Sequence, residues 1–180
     1  MSESIKVALR IRPLVENEIS RGCQTCLDVA LNRNQVIVRN DKGFTYNYVF
    51  DQDCSQEEVY KVAVQGLVKK LFDGFNVTIL AYGQTGSGKT HTMGTCYNGE
   101  GEMGVIPKAV HDIFQHVESQ LDWEYHITVS FMELYNEQLY DLLSGDRSIV
   151  EIREDSKGKL LFTIIDVNVN FFNISHFYDA

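Results

Sequence analysis

The chain has 180 residues, 44% of them hydrophobic and 23% charged, with a formal net charge of -9. This size and balance point to one soluble globular domain burying roughly 70% of the surface its unfolded chain exposes, and they argue against disorder. The negative charge offers no electrostatic reason to bind nucleic acid, and no stretch approaches the roughly 20 apolar residues of a membrane span. Met1, Ser2, Glu3 and Ser4 are unlike the basic and apolar start of a secretory signal, so a cytoplasmic setting is expected. There Cys23, Cys26, Cys54 and Cys96 stay reduced, and the sequons at Asn76 and Asn173 go unmodified. The Cys23-Gln24-Thr25-Cys26 pair has no second pair at metal spacing, so it predicts no zinc site.

Ile5, Val7, Leu9 and Ile11 alternate with Lys6, Ala8 and Arg10, which predicts an opening strand that stops at Arg12-Pro13. Arg10 and Arg12 then share a face, and on the residues alone they read equally well as solvated arginines of a strand edge. Residues 35–38 and 44–50 are β-rich runs flanking Asn40-Asp41-Lys42-Gly43, which predicts a hairpin. Ser55 followed by Glu58 is a capping box, and Val59, Val62, Ala63, Gly66, Leu67 and Phe72 continue at helical spacing to Asp73-Gly74.

The next stretch carries the chemistry. Val77, Thr78, Ile79, Leu80 and Ala81 form a short β-branched run directly before Gly83-Gln84-Thr85-Gly86-Ser87-Gly88-Lys89-Thr90, which fits G-x-x-x-x-G-K-[ST]. In such a loop the glycines let backbone N–H groups turn inward around a polyphosphate, Lys89 reaches the terminal phosphates, and Thr90 offers a hydroxyl to Mg2+. A helix beginning near Gly88 would aim its positive end at the same phosphates. The glycine-rich stretch 94–104 follows as an expected mobile surface loop.

Pro107 suits the first helical position, and Ala109, Val110, Ile113, Phe114, Val117 and Leu121 make the apolar stripe of a second covering helix. Tyr125, Ile127, Val129 and Phe131 alternate with His126, Thr128 and Ser130, predicting a half-buried strand. His111, His116 and His126 have no spaced partner and read as plain surface residues. No internal repeat is present, and strands alternating with helices around a phosphate loop predict an α/β sandwich, a mixed sheet flanked by helices.

Several local patterns agree on one family. Ala81-Tyr82-Gly83-Gln84-Thr85-Gly86-Ser87-Gly88-Lys89-Thr90-His91-Thr92-Met93 closely resembles the kinesin motor domain. Arg10-Ile11-Arg12-Pro13, Gly104-Val105-Ile106-Pro107 and the run from Ser130 through Glu133, Tyr135, Asn136 and Tyr140 to Leu143 match in the same order, as do Phe50-Asp51 and residues 55–60. The resemblance covers about residues 4–158, and the wording looks most like the chromosome-associated, kinesin-4-like (chromokinesin-like) branch.

The resemblance implies a kinesin-type P-loop NTPase fold, incomplete at its C-terminal side, with ATP and Mg2+ as cofactors. It implies ATP-driven movement along microtubules, with tubulin as partner and the cytoskeleton as location. Carried over residue by residue, it puts Arg10, Arg12 and Pro13 beside the adenine and His91 near the same end of the nucleotide. It assigns Gly83, Gln84, Thr85, Gly86, Ser87, Gly88, Lys89 and Thr90 to the phosphates, Thr90 also to Mg2+, and makes residues 133–140 structural.

The family's switch I, Asn-x-x-Ser-Ser-Arg-Ser-His, and switch II, Asp-Leu-Ala-Gly-Ser-Glu, do not occur in the sequence. Catalysis of phosphoryl transfer needs groups that orient water and sense the γ-phosphate, so no catalytic residue is named and a truncated form is expected. Residues 1–159 read as the N-terminal portion of a motor domain and 160–180 as a tail unlike the family. The run 161–166 ends in Asp166 like a Mg2+-directed strand, but Val167, Asn168 and Val169 follow where switch II requires glycine at the third position. Two further readings are a nucleotide-binding fragment without motor or hydrolytic activity and an unrelated P-loop kinase or transferase, which the additional motif matches disfavour.

Overall fold

A computed structural model describes residues 5–39, 42–95, 97–157, 160–162 and 167–168. Asp166 and most of the 160–180 tail lie outside the described residues. The chain gathers into two compact units, Met1–His116 and Val117–Ala180, where composition alone points to one domain.

In the first unit, β1 (Ala8–Arg10) runs parallel to β5 (Tyr48–Phe50), with Ala8, Leu9 and Arg10 opposite Tyr48, Val49 and Phe50. The strand is shorter than the alternation over 5–11 predicts, and Ile5 stands 90% exposed with nothing to cover it. A short helix α1 (Glu16–Ser20) follows. Next, β2 (Leu27–Ala30), β3 (Gln35–Val38) and β4 (Lys42–Thr45) form a three-stranded antiparallel sheet.

The predicted hairpin is therefore only partly right: it closes on β3 and β4, and residues 48–50 leave it for β1. The break falls at Tyr46 and Asn47. Tyr46 N donates to Asn34 O at 3.0 Å, while Asn47 exchanges bonds with Val7, its Oδ1 accepting from Val7 N at 2.8 Å and its N donating to Val7 O at 3.0 Å. These bonds hand the chain from one sheet to the other.

Ser55 caps the next helix as expected, its Oγ accepting from Glu58 N at 3.1 Å. The helix runs through α2 (Gln56–Val59), a wide π-type turn (Tyr60–Val64) and α3 (Gln65–Phe72). The wide turn shifts the phase of everything after it by about one residue. Tyr60, Val64 and Val68 become buried, and Val62, read from the 3.6-residue period as inward, is 48% exposed. Tyr60, Val64, Val68 and Val105 form the core of this unit, with Ala63, Ile79, Met93, Ala109 and Ile113 packed on it.

Residues 77–81 keep a strand's alternation, with Val77, Ile79 and Ala81 half-buried and Leu80 85% exposed, but they make no ladder among the described residues. This corrects the strand expected before the phosphate loop. Periodicity reports which side chains are covered, whereas a ladder needs a backbone neighbour, and β1 is already paired on one side with β5. After the loop come α4 (Lys89–Met93) and α5 (Val105–Ser119). Pro107 lies within the first turn of α5, and Leu121, assigned to its stripe, falls beyond its end and is 93% exposed. His111 is exposed, but His116 is not the plain surface residue expected, because its ring stacks on Phe72 with centroids 3.7 Å apart.

In the second unit, β6 (Thr128–Val129) is the only laddered part of the strand predicted over 125–131, and it pairs antiparallel with β11 (Val167–Asn168). His126 is exposed. β7 (Met132–Tyr135) and β8 (Gln138–Asp141) form a hairpin whose two turn residues, Asn136 and Glu137, have φ of 50° and 64°, the signature of a type I′ turn. β9 (Ile152–Glu154) pairs antiparallel with β10 (Leu160–Phe162). Asp141 is 2% exposed, and its Oδ1 accepts from Leu143 N at 2.9 Å. No described helix is long and apolar enough to cross a membrane.

Candidate functional site

Residues 83–90 lead from the extended segment into α4. Gly86 and Gly88 have φ of 80° and 91°, a left-handed conformation that other residues adopt only with strain. At Gly88 space is not the constraint, since the nearest atom to an added Cβ would be Arg12 Cβ at 3.9 Å. The motif glycine is there for its backbone. α4 holds five residues, so its dipole is weak. Charge on a bound phosphate would fall mainly to the loop N–H groups and to Lys89.

Lys89 Nζ donates to the carbonyls of Gly83 at 2.8 Å and Gln84 at 2.9 Å. An ammonium has three N–H donors, and no carboxylate pairs with Lys89 among the described residues. A cation folded over its own loop and uncompensated by an acid fits a polyphosphate. Thr90 is exposed on the first turn of α4, where its hydroxyl suits a divalent cation held against that phosphate. Gln84 and Thr85 are exposed on the loop, and Ser87 is half-buried.

The two arginines are not solvated edge residues. Arg10 Nη1 donates to Gln56 Oε1 at 2.5 Å and Thr92 Oγ1 at 3.0 Å, and Nη2 donates to Cys54 O at 3.3 Å. Burial lowers its pKa, with Cys54 and Glu102 pulling the other way. Arg12 Nε donates to Gly86 O at 2.7 Å, tying β1 to the phosphate loop, while Nη1 and Nη2 grip Glu18 at 2.7 and 2.6 Å. This grip, helped by the Val15 N–H, holds Glu18 down at about 2 and raises the pKa of Arg12. The Cys54 thiol is pushed up to about 11, first by burial and then by Glu58. It is a poor nucleophile at neutral pH. The His91 side chain is exposed, and its carbonyl accepts from Gln56 Nε2 at 2.5 Å.

Arg10, Arg12, Pro13, Ser87, Gly88, Lys89 and His91 line one cleft of about 410 Å³. Its polar end is the phosphate loop with the two arginines. Its apolar length, over Ala63, Val64, Leu67 and Ile79, runs between β1 and residues 78–82 and does not suit a charged ligand. Thr90 and His91 border a second hollow with Gln56, Gly94, Tyr97, Glu100 and Glu102. The structure thus brings the two motifs together, with Arg12 touching the loop directly and Arg10 touching α4. Sequence reasoning missed Glu18, Gln56, Thr92 and Glu102 as the residues that hold them. A glutamine in a helix's first turn gives no signal of its own.

An α/β unit built around a glycine-rich loop with an uncompensated lysine defines a P-loop nucleotide-binding protein. The kinesin motor domain model matches residues 10–176, beyond the point where the motif-by-motif resemblance stops, and the chain belongs to the kinesin motor-domain family. The chromosome-associated kinesin KIF4 of Mus musculus is 49% identical over 160 residues, covering 85% of this chain and 13% of that protein. The kinesin-like protein klp-12 of Caenorhabditis elegans is 43% identical over 174 residues, covering 87% and 11%. A solved structure of a fast kinesin superposes with a TM-score of 0.87 at 32% identity, over 98% of this chain and 51% of that one. The fold is thus that of an α/β kinesin motor domain, the similarity to chromosome-associated kinesins agrees with the kinesin-4 wording, and the chain spans about an eighth of the length of these curated relatives.

Proposed function

We propose that this chain is the ATP-holding portion of a kinesin motor that couples ATP hydrolysis to movement along microtubules, in the cytoplasm and on the cytoskeleton. The observation that carries the proposal is Lys89, held over the carbonyls of Gly83 and Gln84 with no acid beside it, in a family of nucleotide-driven motors. In this reading Gly83, Gln84, Thr85, Gly86, Ser87, Gly88 and Lys89 hold the triphosphate, Thr90 supplies a hydroxyl to Mg2+, and Arg10, Arg12, Pro13 and His91 frame the adenine end. Bound Mg2+ supplies charge neutralisation on the phosphates. Tubulin is the partner of the whole motor.

Equilibrium binding of ATP to the 180-residue chain with Lys89→Ala as comparison tests the reading. Loss of the phosphate-facing ammonium should lower affinity about 10- to 100-fold, the range that ~1.5–3 kcal/mol for a charge-assisted contact gives. Equal affinity for both proteins would refute it. A second reading, nucleotide binding without hydrolysis, is favoured by the absence of both switch sequences from the 180 residues. ATP turnover by this chain that rises on adding microtubules would exclude that second reading.

A further inference from the structure

Gln56 is 3% exposed, and its side chain bonds to residues 46 and 35 positions away in sequence. Its Oε1 accepts from Arg10 Nη1 at 2.5 Å and its Nε2 donates to the His91 carbonyl at 2.5 Å. Its backbone N–H also faces Glu102 Oε2 at 3.3 Å. One residue therefore joins β1, α2, α4 and the 94–104 loop.

The orientation of the amide is fixed by chemistry. Turned around, it would set NH2 against the Arg10 guanidinium and a carbonyl against the His91 carbonyl, two repulsions in place of two bonds. Arg10 is also held by Thr92 on α4, so Gln56, Arg10 and Thr92 close a ring of contacts from β1 to the helix that follows the phosphate loop. None of these bonds reaches residues 83–88, where Lys89 and Arg12 make the contacts instead.

We propose that Gln56 is a positioning residue for the base end of the nucleotide, acting through Arg10 and the main chain of His91, with little influence on phosphate capture. The proposal rests on the reading of the site as an ATP cradle. It separates two functions within one cleft: the loop and Lys89 hold phosphate, and Gln56 sets the geometry of the groups that meet the base.

Titration of the full chain with ATP and, separately, with inorganic tripolyphosphate tests this. Gln56→Met keeps the length and volume of the side chain and removes both bonds. It should weaken ATP binding about tenfold while leaving tripolyphosphate binding within about twofold of wild type. Gln56→Glu retains an acceptor for Arg10 and loses the donor to His91, so its ATP affinity should fall between the two. Unchanged ATP binding by Gln56→Met, or equal weakening of both ligands, would overturn the proposal, since the latter is what general loosening produces. An ATP affinity of Gln56→Glu below that of Gln56→Met would overturn the route through Arg10. If wild type binds neither ligand, or Lys89→Ala binds both as wild type does, the ATP cradle itself fails and the role of Gln56 falls with it.

Discussion

Replacing Gly104 with alanine should be far more damaging than the same change at Gly101 in the same glycine-rich loop, although the residue touches no proposed ligand. A Cβ at Gly104 would lie 2.4 Å from Gly94 N, 2.5 Å from Gly94 Cα and 2.7 Å from Met93 C, all of them backbone atoms. At Gly94, with φ of 77°, a Cβ would meet Gly104 Cα at 2.7 Å. The neck of the loop is a glycine-on-glycine contact that neither partner can give up. Ordinary contact begins near 3.4 Å, so two stretches of backbone would have to part by about 1 Å, and the cost belongs at or above the upper end of the ~1–3 kcal/mol typical of overpacking. The strain would spread, because Gly94 N donates to Thr90 O at 2.8 Å to close α4 and Lys108 N donates to Gly104 O at 3.3 Å to open α5. Gly101→Ala is the control: φ is 81° but nothing lies within 4 Å, so only the left-handed strain of about 1–2 kcal/mol applies. Urea unfolding followed by far-ultraviolet circular dichroism should place Gly104→Ala at least about 1 kcal/mol below Gly101→Ala. Equal or reversed stabilities would refute the reasoning.

Tyr60→Phe removes a hydroxyl that donates to Asp112 Oδ2 at 2.9 Å from a residue only 3% exposed, leaving Asp112 with the weaker Gln65 contact at 3.3 Å. Urea unfolding should show a loss of about 1–2 kcal/mol, and a variant as stable as wild type would contradict the role given to this bond. Glu18 titrates at about 2, below its ordinary 4.5, so its grip on Arg12 is fully present above about 4.5 and is lost as pH falls through about 2. A carboxyl-carbon NMR titration should find that low midpoint, and Glu18→Gln should lack the accompanying acid loosening of the residues around Arg12. A Glu18 midpoint at or above 4.5 would refute the pairing.

The phosphate loop was legible because its residue types encode backbone conformations directly: Gly86 and Gly88 adopt the left-handed angles that the motif's glycines exist to permit. The Ser55 cap was legible for a similar reason, being a local bond between residues three apart. What failed depended on neighbours distant in sequence. Residues 77–81 have a strand's faces, but no sequence window says whether a second backbone will lie alongside. β5 joins β1 because Asn47 bonds Val7, forty residues away. The stripe on the 56–72 helix was misphased because one wide turn over Tyr60–Val64, which no residue type announces, leaves Val62 exposed and buries Val64 and Val68. Gln56 went unseen since its importance lies in what faces it.

Three cations of the site, Arg10, Arg12 and Lys89, differ in what already balances them, and that difference decides where affinity for a polyanion should reside. Arg12 is paired through two bonds with Glu18, so its charge is locally cancelled and its contact with Gly86 O fixes the position of the loop. Arg10 is held by three neutral oxygens and feels Glu102 only at longer range, so it stays cationic but is committed to Gln56 and Thr92. Lys89 alone of the three bonds only to main-chain carbonyls, those of Gly83 and Gln84, bonds that a phosphate oxygen could replace without leaving an acid unpaired. In a chain whose formal charge is -9, this local arrangement matters more than the sum. Removing Lys89 should weaken phosphate binding most of the three, whereas neutralising Arg12 should chiefly release Glu18 and unsettle the loop's position.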